Sequence, residues 1–292
     1  MKEWDRLMDG IDAPPAVQMR SYWSDEGANL PPQYDLAVAL AAACLIGEPN
    51  RLLDLGCNSG QPTIDALGRA GLANIHVEGY DVLPEEVATY FLPPDASRPN
   101  FVFTQLDKDE MRLPLEDKSM DIVLALNVLF RADNALTMLQ EVCRVLREGG
   151  VAAISSNSRL HAATRHWIAR HALMEVSQKY RISTVGLPVP ANGIFSNDLP
   201  ELLEKVTGFE IVAEESQVGS TVIDDERIDS FFDTIMLEAA RTDLPKKYYS
   251  NFREEVRNIG TRLQARAKEK GYDLRDRVDR KIIIVRKRSE TR

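Results

Sequence analysis

The stretch that decides the fold runs from Leu52 to Thr63 and reads LLDLGCNSGQPT. Apolar residues lead to an acid, Asp54, and a glycine-punctuated loop follows. Pro62 then stands where the first turn of a helix tolerates it. The pattern is strand, tight loop, helix. Gly56 and Gly60 let the backbone turn closely. A helix beginning near Gln61 directs free N–H groups and the positive end of its dipole into the loop. Such a loop suits a phosphate or a carboxylate. Asn58 stands in the middle of the Gly-x-Gly-x-Gly spacing. Asparagine tolerates the left-handed backbone better than other non-glycine residues, so the turn is expected to survive it.

On either side of this stretch, strands and helices alternate. An apolar helix is expected from Asp35 to Gly47. Strands are expected at RLLDLG, IHVEGYD, NFVFTQL, MDIVLALNVLF and VAAISSNS, with helices at PTIDALGRAG, LPEEVATYF and ALTMLQEVCRVLREGG between them. The fourth strand is apolar throughout, as in a parallel sheet buried on both faces. Alternation with short loops means a doubly wound α/β sheet. With the later helix and strand in NDLPELLEKVTGFEIVAEESQV and the closing strand RKIIIVRKR, the expectation is a Rossmann-like, seven-stranded, mostly parallel sheet.

After residue 158 the rhythm changes to long helices, at RLHAATRHWIARHALMEVSQKY, DDERIDSFFDTIMLEAAR and PKKYYSNFREEVRNIGTRLQARAKEK. The expected organisation is an N-terminal lid or arm over residues 1–34 and one domain over 35–292. Helical excursions at about 159–195 and 220–277 would form a cap over the sheet.

The composition bounds the function. The chain has 292 residues, 44% hydrophobic and 28% charged, which is ordinary for a soluble globular protein. A net charge of −9 argues against a nucleic-acid partner. The three cysteines form no Cys-x-x-Cys pair, as in a reducing compartment. No apolar leader opens the chain, and LAVALAAACLIG (residues 36–47) is too short to span a bilayer. The expectation is a cytoplasmic protein with a small-molecule substrate, no nucleic-acid or membrane partner, and a homo-oligomer left open.

Three ligands compete for the loop. A dinucleotide wants Gly-x-Gly-x-x-Gly, but Gln61 stands in that register and the third glycine is missing. A P-loop needs Gly-Lys-Ser/Thr, which is absent. S-adenosylmethionine carries a carboxylate and an ammonium, which need a helix end and an acid, and Asp54 supplies the acid. Asp81 ends the second strand 21 residues past Gly60, where a carboxylate can accept hydrogen bonds from ribose hydroxyls. A dinucleotide site would show this too.

The downstream stretch LDKDEMRLPLEDKSMDIVLALNVLF, followed by EVCRVLREGG, separates them. It resembles the class I S-adenosylmethionine-dependent methyltransferases, in their small-molecule (type 11/25-like) branch. That pattern has an acid some four residues before Leu-Pro, then an Asp-apolar-apolar strand, then Val-Leu-x-x-Gly-Gly. The resemblance covers roughly residues 34–158 and returns at FSNDLPELLEKVTGFEIV and at the final strand. It implies that Asp54, Gly56, Asn58 and Gly60 meet the methionine end of the cofactor and that Asp81 binds the ribose. Asp107 or Asp109 would reach the adenine amino group, with backbone near Asn127 touching the cofactor. Two residues more than usual precede Leu113-Pro114: counting from the strand selects Asp107, and counting from Leu113-Pro114 selects Asp109. SYWSDEGANLPPQYD resembles the family's lid, with Tyr22 and Tyr34 as the tyrosines that could cover the cofactor.

For the acceptor, LNVLF lacks the Asn/Asp-Pro-Pro-aromatic run of amino-directed DNA enzymes, and RADN is a poor match to a divalent-metal site, so no metal is expected. Aromatics in the excursions, Trp167 and Tyr180 among them, point to an apolar or aromatic small acceptor, with O-, N- and C-methylation open. His161, just past the fifth strand, is the candidate base. His166 and His171 follow at five-residue steps, which share no helix face and make no metal cluster. His76 is read as structural, inside a strand. Two alternatives stand beside methyl transfer: a fold-sharing enzyme that uses S-adenosylmethionine for a reaction such as cyclisation, and a catalytically silent partner subunit. Asp54, Gly56, Gly60 and Asp81 together speak against silence, since nothing structural requires all four.

Overall fold

The computed structural model describes residues 33–83, 85, 97–107, 112–129, 134–157, 163–182, 195–223, 235, 244–271 and 275–289. Seven strands form one sheet: β1 (Arg51–Leu55), β2 (His76–Asp81), β3 (Phe101–Gln105), β4 (Met120–Leu126), β5 (Leu146–Asn157), β6 (Phe209–Val222) and β7 (Arg275–Lys287). Their order is β3-β2-β1-β4-β5-β7-β6. β1 pairs in parallel with β2 on one side and β4 on the other, β2 with β3, and β4 with β5; β7 runs antiparallel to β5. The strand order reverses between β1 and β4. Open α/β sheets bind ligands outside the carboxyl ends of the strands at such a switch point.

Alternation along β1 sends successive side chains to opposite faces. Leu53 and Leu55 join Val123, Ala125, Ile283 and Val285 in a core shared with Leu139 and Val142 of α3 (Ala135–Val145) and Leu199 and Leu203 of α5 (Leu199–Glu204). Leu52 joins Ile122, Leu124, Ile282 and Ile284 on the other face, against Ala37, Val38 and Ala41 of α1 (Gln33–Cys44) and Ala66 and Leu67 of α2 (Gln61–Arg69). Burial of both faces is why the fourth strand reads as an unbroken apolar run.

Three details differ from the sequence reading. α3 ends at Val145 instead of running to the glycines, because Leu146 turns extended (φ −65°, ψ 136°) and pairs with Met120. The buried Lys287 ammonium then donates to Leu146 O at 2.7 Å and Arg144 O at 3.3 Å, a cation on the last helical carbonyls. α1 already includes Gln33 and Tyr34, ahead of the expected start at Asp35. His76 opens β2 and is exposed rather than enclosed within it. The helices expected at LPEEVATYF and DDERIDSFFDTIMLEAAR fall outside the described residues, apart from Leu83, Glu85 and Ile235.

The chain divides into two compact units. The sheet unit comprises Pro31–Ser158, Pro190–Ser216 and Arg280–Arg292. The other comprises Met1–Leu30, Arg159–Val189 and Gln217–Asp279. Within the second unit α4 (Ala163–Tyr180) packs on α6 (Tyr249–Glu269). The Tyr180 and Tyr248 rings lie 5.0 Å apart, and Tyr180 Oη accepts from Asn251 Nδ2 at 2.7 Å. No described helix is long and apolar enough to cross a membrane.

Candidate functional site

The site grows from the end of β1. Asp54 is fully buried, and its Oδ2 accepts a hydrogen bond from Thr63 Oγ1 at 2.5 Å. Its Oδ1 is buried with no hydrogen-bond partner. Burial above all raises the carboxyl, the Thr63 hydroxyl lowers it and the nearby Asp81 carboxylate raises it, so that together they push it up to about 7.

The chain then turns sharply. Gly56 N and Cys57 N donate to Tyr80 O at 2.7 and 3.2 Å, tying the loop to the end of β2. Gly56 has φ +74°, and a Cβ there would lie 2.1 Å from Val128 Cγ1. Only glycine permits both the backbone and that approach. Asn58 adopts φ +48°, the left-handed backbone expected of it. Its N–H donates to Asp81 Oδ2 at 2.8 Å, and its Nδ2 donates to Gly56 O at 3.3 Å. Gly60, again at φ +74°, opens α2, and a Cβ there would meet the Phe101 ring at 2.2 Å. The same ring lies over Gly79 of β2.

Asp81 is 5% exposed, and its Oδ1 accepts from Leu83 N at 3.0 Å. The acid assigned to the ribose thus also anchors two backbone amides at the rim of the loop. Arg98 closes the far side: Nη1 donates to Ser59 O at 3.1 Å, Nη2 to Glu85 Oε1 at 2.8 Å, and the guanidinium lies 5.2 Å from the Phe101 ring centroid. Burial, with Asp54 and Asp81 close by, pushes the Cys57 thiol far up, so it stays protonated and is no nucleophile.

A second polar group lies past β4. Asn127, at φ +60°, donates its N–H to Ser155 Oγ at 3.1 Å and its Nδ2 to Gln33 Oε1 at 2.7 Å. Gln33 Oε1 also accepts from Arg280 Nη1 at 3.1 Å, and Gln33 Nε2 donates to Ser155 Oγ. Tyr34, beside Gln33 in α1, is partly buried against the Leu52 side of the core. Asp107 is exposed just past β3. Asp109, Tyr22 and His161 lie outside the described residues. Among the described residues no group of three or more His, Cys, Asp or Glu stands close enough to hold a metal ion.

Asp54 and Asp81, at the ends of β1 and β2, therefore flank the loop of Gly56, Asn58 and Gly60, with Asn127 beyond β4 and Val128 against Gly56. The sequence reading missed Thr63, Arg98 and Gln33. Thr63 carried a signal, a hydroxyl in the first helical turn where the helix doubles back over the strand end. Arg98 and Gln33 carried none, since their partners are far along the chain. The residues fit the expected cofactor: a buried carboxylate oxygen without a donor suits an ammonium, and the N-terminus of α2, opening at Gly60, suits a carboxylate.

A family model described as "Methyltransferase domain" matches residues 53–154. The chain is 33% identical over 140 residues to the 27-O-demethylrifamycin SV methyltransferase of Amycolatopsis mediterranei, a match covering 46% of this chain and 48% of that protein. It is 28% identical over 166 residues to the O-methyltransferase rstn1 of Aspergillus nomiae, covering 56% of this chain and 65% of that one. These matches span between about half and two thirds of the length of the two relatives. Among solved structures, loganic acid methyltransferase with SAH shares the fold with a TM-score of 0.58 at 13% identity, covering 88% of this chain and 92% of that one. In strand order, in the loop after β1 and in the matched residues 53–154, this chain is similar to the class I S-adenosylmethionine-dependent methyltransferases.

Proposed function

We infer that the protein transfers a methyl group from S-adenosylmethionine to a small organic molecule. The observation that carries this reading is Asp54 Oδ1, a fully buried carboxylate oxygen with no hydrogen-bond partner where β1 runs into the glycine loop. When bound, S-adenosylmethionine supplies an electrophilic methyl group on a cationic sulfur. Asp54 and the N-terminus of α2 would hold the ammonium and carboxylate of its methionine end. Asp81 would hold the ribose, and Asp107 or Asp109 the adenine. The work of these residues is to bind and orient, which removes the entropic part of the barrier. His161 is the residue we assign to the acceptor's proton.

The names of the two curated relatives support an oxygen atom as the methylated position. We therefore read the acceptor as a hydroxyl on an apolar or aromatic small molecule. Calorimetry tests the cofactor: S-adenosylmethionine and S-adenosylhomocysteine should bind and NAD should not. Tight NAD binding with no response to S-adenosylhomocysteine overturns the reading. Mass spectrometry of extracts incubated with isotope-labelled cofactor tests the acceptor, expected as a single labelled O-methyl product.

A further inference from the structure

We propose that Thr63 positions Asp54 as a proton-exchange point: the carboxyl carries a proton before the cofactor arrives and gives it up to solvent when the cofactor's ammonium takes its place. This rests on reading the loop as an S-adenosylmethionine site.

The geometry makes the case. Asp54 has no exposure, and among the described residues one hydroxyl, Thr63 Oγ1, is the only donor bonded to it. A desolvated carboxylate with one neutral donor is unfavourable, and taking a proton is the ordinary remedy. Its charged surroundings do not relieve it. From β2 comes Asp81, a second carboxylate; from the loop comes Cys57, a buried thiol. From β4 come Ile122, Val123, Leu124 and Ala125 beside β1, all apolar. The nearby cation, Arg98, is committed to Ser59 O and Glu85. An arriving ammonium supplies the missing positive charge. Because Thr63 holds Oδ2, both the proton and the ammonium are directed to Oδ1. The exchange balances: one O–H bond of Asp54 breaks, its proton passes to solvent, and the carboxylate pairs with the ammonium. The upward push on Asp54 to about 7 agrees with this.

The test is calorimetric titration of the protein with S-adenosylhomocysteine in phosphate and in imidazole, at about pH 6 and about pH 8. Close to one proton should be released per ligand at the lower pH and almost none at the higher. Affinity at the lower pH should be about tenfold weaker, as linkage to one group titrating near 7 requires. Asp54→Asn should bind more weakly, release no proton and show a flat profile. Thr63→Val keeps the β-branched shape but loses the donor, so its transition should move to higher pH and its affinity at neutral pH should drop. Thr63→Ser should restore the parent behaviour. If Thr63→Val does not fold, Thr63→Ala is read in its place. Normal binding with no proton release overturns the exchange alone. A Thr63→Val profile identical to the parent overturns the role of Thr63. No binding by the parent protein at either pH overturns the cofactor reading and this inference with it.

Discussion

The backbone N–H of Asn58 donates to Asp81 Oδ2 at 2.8 Å while Asn58 itself stands at φ +48°. The turn and the acid at the end of β2 are thus one device. The left-handed residue points its amide at the carboxylate, and the carboxylate keeps the turn in place. Each half is exposed to a specific substitution.

Asn58→Gly should preserve the loop. It relieves the positive φ and loses the 3.3 Å side-chain bond to Gly56 O, so cofactor affinity should stay within about threefold, below the scale of one neutral hydrogen bond. Asn58→Val should lose about tenfold or more, because a left-handed backbone costs an L-residue roughly 1–2 kcal/mol and a β-branched one is a true outlier there. Calorimetry on both variants checks this, and normal binding by Asn58→Val would show that the turn is not what the ligand needs.

Asp81→Ala removes the acceptor for Asn58 N and Leu83 N at once. Bonds to a charged group are worth about 1.5–3 kcal/mol each, less whatever water restores. Cofactor affinity should fall at least tenfold, and amide exchange at Asn58 and Leu83 should quicken even without ligand. Lost affinity with unchanged exchange would confine Asp81 to ribose contact.

Gly79→Ala and Gly60→Ala both drive a Cβ to 2.2 Å from the Phe101 ring. Overpacking of this kind typically costs about 1–3 kcal/mol. Adding Phe101→Leu should recover part of the stability of Gly79→Ala. It should recover less for Gly60→Ala, whose φ of +74° remains strained for alanine. Denaturant melts of the single and double variants measure the difference, and equal recovery would remove backbone strain from the account.

Stability should carry the signature of Asp54. Its carboxyl is pushed from the ordinary 3.8 up to about 7, so the folded state holds the proton more tightly than the unfolded one. This group's contribution is full below about pH 4 and is lost as pH rises through about 7. Asp54→Asn stays neutral throughout, so it should gain stability relative to the parent as pH rises from about 4 to about 7. Equal pH slopes in denaturant melts without cofactor would contradict a protonated, buried Asp54.

The sequence by itself determined the alternation of strands and helices, the two acids at the ends of β1 and β2, and the left-handed turn at Asn58. These are local matters. Period, turn residues and helix starts are set within a few residues, and a buried parallel strand announces itself by an unbroken apolar run. Only the tertiary structure decided which side chains wall the loop. Val128 closes on Gly56 and Phe101 on Gly60 and Gly79 because β4 and β3 lie in register beside β1 and β2. Lys287 caps the end of α3 because β7 brings its ammonium from 141 residues away to Leu146 O. Thr63 meets one oxygen of Asp54 and leaves the other bare because α2 folds back over the end of its own strand. Such pairings depend on how separate elements pack and on which polar atoms burial leaves to be satisfied. For Val128, Phe101 and Lys287, no short window of sequence around one residue contains both partners.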